Sequence, residues 1–152
     1  MKRNETELSY RRSAIEGASP IGLVIALYDT LSGDLRRAAS AIRNNDIEAR
    51  CKDLNHAALV LGQLEDWIDQ KNGGELAQNL SSFYSYIRAK IMEASLSKSA
   101  QLLEAQIDLI SQVRSAWQQL DISSLEASEV RTEHLSAAST QMRERIAFSR
   151  SA

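Results

Sequence analysis

Ile21, Val24, Tyr28, Leu31, Leu35, Ala38 and Ile42 recur at steps of three and four residues, and nothing in the chain alternates with period two. Steps of that size keep apolar side chains on one face of an α-helix. The spacing predicts a helix over 21–43. Ser19 can cap its start, and Pro20 sits at the first helical position, where its missing N–H costs nothing. Asn44-Asn45-Asp46 ends it. Gly22 and Gly33 lie inside, each costing roughly 1 kcal/mol against alanine, and are expected to mark close helix contacts.

The stepping returns three times. Over 46–71, Ile47, Cys51, Leu54, Ala58, Leu61 and Ile68 form one stripe, and Ala57, Val60, Leu64 and Trp67 form a second beside it. A helix so broadly apolar must meet partners on more than one side. Lys71-Asn72-Gly73-Gly74 reads as its C-terminal stop. Over 75–96 the stripe is Leu76, Leu80, Phe83, Ile87 and Ala94, widened by Tyr84 and Ile91. Over 99–120 it is Leu103, Ile110, Val113, Trp117 and Leu120. Short connections make neighbours antiparallel. The fold class is therefore all-α, an antiparallel up-down four-helix bundle. Residues 1–19 read as a mobile N-terminal arm, 20–120 as the bundle and 121–152 as a fifth, C-terminal helix, all within one domain.

Composition bounds the function. The chain has 152 residues, 43% apolar and 25% charged, which are globular proportions. Eighteen basic residues face twenty acidic ones, with none of the basic excess of a nucleic-acid binder. No apolar run approaches the roughly 18 residues of a membrane span, and the N-terminus lacks the apolar region of a secretory signal. The single cysteine, Cys51, suits a reducing cytoplasm, and its place on an apolar stripe predicts a core position.

Motifs for catalysis are scarce. Asp53-Leu54-Asn55-His56 puts a carboxylate and an imidazole one turn apart, but di-iron bundles need two Glu-x-x-His motifs and two further glutamates. A surface pair is the simpler reading, and neither cofactor nor metal is expected. Glu65, Asp66 and Asp69 crowd a helix C-terminus, where carboxylates oppose the macrodipole. They form a solvated face unless a cation or a neighbouring helix start compensates. Tyr84 and Tyr86 lie about 200° apart on a helix, so at least one must face solvent or a partner.

Taken in order, several blocks resemble the flagellar secretion chaperones, the FliS family. Tyr10, Ile15-Glu16-Gly17-Ala18-Ser19-Pro20, Leu23-Val24 and Leu27-Tyr28-Asp29 resemble the family's opening. Leu64 to Asp69, Gly73-Gly74-Glu75-Leu76-Ala77, Asn79-Leu80 and Tyr84-Ser85-Tyr86-Ile87 resemble its second block, and Arg114-Ser115-Ala116-Trp117 its closing Arg-x-Ala-Trp. Thr30, Phe83 and Ser85 depart from the usual glycine, leucine and acidic residue. Residues 121–152 carry no family pattern.

The resemblance implies a non-enzymatic cytoplasmic chaperone. It would bind the disordered C-terminal segment of flagellin, block premature polymerisation and deliver the subunit to the flagellar type III export gate. A bundle of the same scaffold serving a different client is the alternative, and a homodimer is compatible with either. Ordering about 40 client residues costs on the order of 40–80 kcal/mol of backbone entropy. Repaying that by burial takes roughly 1,600–3,200 Å² of apolar surface, so a long groove is expected rather than a compact pocket. Leu61, Leu64, Trp67 and Ile68 are expected to line it from the second helix, and Leu80, Tyr84 and Ile87 from the third. Asn79 either bonds client backbone or ties the Gly73-Gly74 loop. Tyr10 and Ile15 are expected as arm anchors that shield the groove or meet the export gate.

Overall fold

A computed structural model describes the backbone of residues 19–150 and the side chains of 19–123, 137 and 140–142. Four helices follow one another: α1 Pro20–Arg43, α2 Ile47–Asp66, α3 Gly74–Ser97 and α4 Ala100–Arg150. There is no strand among the described residues. The up-down topology shows in the cross-helix pairs. Asp34 meets His56 and Arg37 faces Asp53 across α1 and α2, Glu65 meets Arg88 across α2 and α3, and Asp29 meets Arg114 while Arg43 meets Glu104 across α1 and α4. Between α1 and α2, and between α1 and α4, a later residue on α1 meets an earlier one on its neighbour.

Local chemistry places the ends. The Ser19 hydroxyl accepts from the Gly22 N–H at 3.0 Å and donates to the Asp121 carboxylate at 2.9 Å, so one cap also ties α1 to α4. Asp46 caps α2 through the Ala49 N–H. α2 stops at Asp66, short of 71, because residues 67–73 close on themselves. The Asp69 carboxylate accepts from the Lys71 and Asn72 N–H groups, and its carbonyl accepts from the Gly73 N–H at 2.8 Å. A Cβ on Gly73 would collide with the Asp69 carbonyl and the Ala77 methyl. The glycine pair therefore opens α3 rather than closing α2. Lys98, with φ 55°, turns the chain, and Ser99 caps α4 by accepting from the Leu102 N–H.

The core is the predicted α1 stripe, with Tyr28, Leu31, Leu35 and Ala38 buried against Leu54, Ala57, Leu61 and Leu64 of α2. From α3 come Tyr84, Ile87 and Ile91, and from α4 Leu103, Ile107 and Ile110. The middle of both α2 stripes, Leu54, Ala57, Val60, Leu61 and Leu64, goes inward, because α2 packs on α1 and on α3. Two expectations fail here. Cys51 is exposed, as is Ile47 at 60%; they lie in the first turns of α2, before its packed stretch begins at Leu54. Gly33 marks no close helix contact, since a Cβ there would meet only the Arg37 guanidinium. The segment after 120 is helical as expected, but as an unbroken continuation of α4, a helix of 51 residues.

An apolar cleft at one end of the bundle

At the end where α1 begins and α2 stops, the helices do not close over one another. A cleft of about 210 Å³ opens there. Its walls come from the 67–73 turn and the helices around it: Trp67 and Ile68 on one side, Leu76 and Leu80 of α3 on another, Val24 of α1 and Trp117 of α4 opposite. Leu64, Ala77 and Tyr84 form the floor. Asp69 is the charged residue on the wall. Trp67 is 46% exposed and Leu76 59%, so the cleft presents large apolar side chains at its mouth.

The floor is held by a hydrogen-bonded chain. The Trp117 indole N–H donates to the Tyr28 hydroxyl at 3.1 Å, and the Tyr28 and Tyr84 hydroxyls lie 2.9 Å apart. The two tyrosine rings meet edge to face at 6.2 Å, a favoured aromatic geometry. Tyr28 and Tyr84 thus link α1 to α3 across the diagonal of the bundle, with α4 attached through Trp117. Burial pushes the Tyr28 phenol above its ordinary pKa, against the opposing pull of the Tyr84 and Trp117 hydrogen bonds. Burial also raises Tyr84, reinforced by Tyr28 and by the Glu65 carboxylate. Both stay neutral, as a buried hydroxyl pair requires.

The residues expected to bind a partner separate by position. Leu64, Trp67, Ile68, Leu80 and Tyr84 all line the cleft. Leu61 and Ile87 do not: both are fully buried in the core, because they lie on helix faces that α1 and α4 cover. Asn79 is exposed, and the adjacent loop is tied by Asp69 instead. Tyr86 is the solvent-facing tyrosine of its pair, with the Lys90 ammonium 5.6 Å from its ring. Tyr10 and Ile15 lie outside the described residues. Of the doubled α2 stripe, Leu54, Ala57, Val60 and Leu61 are core, and Leu64, Trp67 and Ile68 at its end line the cleft.

Sequence reasoning missed Val24, Leu76 and Trp117 as wall residues. Each sits on a predicted core stripe; Val24 and Leu76 lie in the first turns of their helices, and Trp117 faces that same end of the bundle from the interior of α4. It also missed Asp34, a carboxylate 1% exposed that accepts from Arg37 and pairs with His56 Nδ1, each at 2.6 Å. His56 is therefore the partner of Asp34, one helix away, rather than of Asp53. The carboxylates at the end of α2 find compensation: Glu65 in Arg88 at 2.7 Å, Asp69 in the turn it caps. Thr30 spends its hydroxyl on the Ala26 carbonyl, so this departure has a local structural use.

An up-down bundle with an apolar cleft at one end defines the class of all-α helical-bundle proteins. The sequence model of the family described as Flagellar protein FliS matches residues 2–124, and the chain belongs to that family. Among its relatives, the flagellar secretion chaperone FliS of Salmonella typhimurium is 34% identical over 109 residues, 71% of this chain and 81% of the relative. FliSB of Pseudomonas aeruginosa is 30% identical over 112 residues, 71% of this chain and 89% of the relative. FliS of Bacillus subtilis is 24% identical over 111 residues, 73% and 82% respectively. The family match ends at residue 124, where α4 still has most of its second half to run.

Proposed function

We propose that this protein is a non-enzymatic cytoplasmic export chaperone that binds the disordered C-terminal segment of flagellin, keeps it from polymerising and presents it to the flagellar export gate. The family supports a flagellar export chaperone role, and its named relatives are flagellar secretion chaperones. No helix among the described residues is long and apolar enough to cross a membrane.

The observation that carries this reading is the cleft. It has room for a large apolar side chain and a rim that exposes Trp67 and Leu76. A volume of 210 Å³ is far short of what ordering a long client demands. The cleft serves as the anchor, and the rest of the client spreads over the outer faces of α2 and α3, where Leu59, Met92 and Leu96 stand 72%, 64% and 81% exposed. An amphipathic client helix supplies anchors at i, i+3, i+4 and i+7 for such a surface.

A flagellin C-terminal peptide titrated into the protein is expected to bind one to one and to gain helix by circular dichroism. Trp67→Ala keeps the fold, because the side chain is half exposed, and weakens the peptide by about tenfold or more, as expected for a central aromatic anchor. No binding at tens of micromolar, or a Trp67→Ala variant that binds as tightly as the parent, would contradict the assignment.

A further inference from the structure

The end of the bundle opposite the cleft holds a second, smaller cavity. It has a volume of about 60 Å³ and lies where α1 ends, α2 begins and α3 turns into α4. One water needs roughly 10–15 Å³ of such space, so the cavity takes a group of several heavy atoms. Ile42 and Ile47 give it an apolar wall, and Arg50 and Lys98 bring two cations to it. Arg37, Arg43, Arg88 and Arg114 each hold a carboxylate. Arg50 and Lys98 hold none among the described residues. The Arg50 Nε–H is buried without any acceptor, a costly omission for a charged donor. Asp46, on the same wall, spends its carboxylate on the Ala49 N–H as the cap of α2. Two cations against one carboxylate leave the cavity with positive charge in excess.

An anion that also carries an apolar group fits this lining. Free phosphate would use the cations and leave the isoleucines idle. The last residue of a peptide has both parts, an α-carboxylate beside a side chain, and capture of such ends is a recurring mode of peptide recognition. The client proposed above is a C-terminal segment, so it supplies that end. It can also reach. α3 has 24 residues, about 36 Å at 1.5 Å per residue, and runs from the cleft to Lys98 past the exposed Met92 and Leu96. A client of about 40 residues covers about 60 Å even when wholly helical.

We propose that the Arg50–Lys98 cavity captures the terminal carboxylate and the last apolar side chain of the client. The inference rests on the chaperone reading and gives the client a direction. An upstream apolar anchor sits in the cleft, and the chain end lies at the opposite end of the bundle. There the Arg50 guanidinium turns its fork of N–H groups onto the carboxylate, the Lys98 ammonium adds a second positive charge, and Ile42 and Ile47 take the side chain.

Two forms of the flagellin C-terminal peptide, the free acid and the C-terminal amide, differ at this group alone. In calorimetric titration of the full chain the acid is expected to bind about tenfold tighter or more, as lost charged hydrogen bonds require. Arg50→Gln with Lys98→Gln lowers the acid to the affinity of the amide and leaves the amide unchanged, a coupling that a general loss of stability does not produce. Trp67→Ala weakens both forms equally. Acid and amide binding alike, or a double variant that weakens both alike, overturns the carboxylate site and leaves the chaperone reading standing; no binding by either form overturns both. The cavity is also read without client. N-acetyl-leucine at millimolar concentration shifts the amide NMR signals of residues 45–50 and 98, and N-acetyl-leucinamide does not. Signals that stay still with N-acetyl-leucine, or that shift as far with inorganic phosphate, count against the proposal in the same way.

Discussion

Tyr28 and Tyr84 show how much a single pair of side chains can carry. Each is 2% exposed or less, each lies on an apolar stripe, and together with Trp117 they join three helices through two hydrogen bonds. Leaving a buried hydroxyl without its partner costs about 1–3 kcal/mol, so Tyr28→Phe, which strands both the Trp117 N–H and the Tyr84 hydroxyl, is expected to lower stability in urea unfolding by about that amount. Their raised pKa values also set a pH dependence. An unfolded tyrosine ionises near pH 10, about its model value, whereas the folded pair holds its protons to higher pH. The folded state therefore binds more protons above pH 10. Stability contributed by the pair is complete below that pH and falls as pH rises beyond it. Alkaline melts should show this loss, and tyrosinate absorbance from Tyr28 and Tyr84 should appear with unfolding rather than before it. Asp34 and Trp117 belong to the same scale: the sequence reading passed over the first and gave the second a stripe and a family motif, and their cross-helix partners, His56 and Tyr28, show what each holds together.

Among the elements, the 67–73 turn decides most. It ends α2 early, rotates Trp67 and Ile68 out of the helix and leaves the cleft beside them. Gly73 is the residue the turn cannot lose, because any Cβ meets the Asp69 carbonyl and the Ala77 methyl. Gly73→Ala is expected to destabilise the fold and to weaken client binding together, whereas Asp46→Ala, at the far end of the bundle, costs about 1 kcal/mol of stability through its lost cap and does not weaken client binding. Comparing chemical unfolding with peptide titration for the two variants separates the effects. Helix existence and phase were legible from the three-and-four stepping. The misplaced end of α2 was not, because Lys71-Asn72-Gly73-Gly74 is equally good chemistry for stopping one helix or starting the next.

For the whole molecule, α1 is the central pillar, packed along both α2 and α4, while α3 touches its neighbours more sparingly. That asymmetry leaves one end of the bundle open. A client bound there stabilises the folded state by mass action, so the unfolding temperature should climb with peptide concentration. The gain is about 2.7 kcal/mol at a free concentration one hundred times the dissociation constant. A peptide that binds the folded and unfolded chains equally would leave the melting temperature unchanged, and one that prefers the unfolded chain would lower it.

The order of apolar residues was enough to define four helices, their antiparallel sequence and most of the core, because helical periodicity is a local property written in residues three and four apart. The blocks resembling flagellar chaperones pointed to the family for the same reason, being short and contiguous. Which stripe residues end up uncovered is not local. Leu61 and Trp67 carry the same apolar signal, yet one is sealed by α1 and the other stands at the mouth of a cleft. Only packing in three dimensions decides that, since exposure depends on where neighbouring helices end.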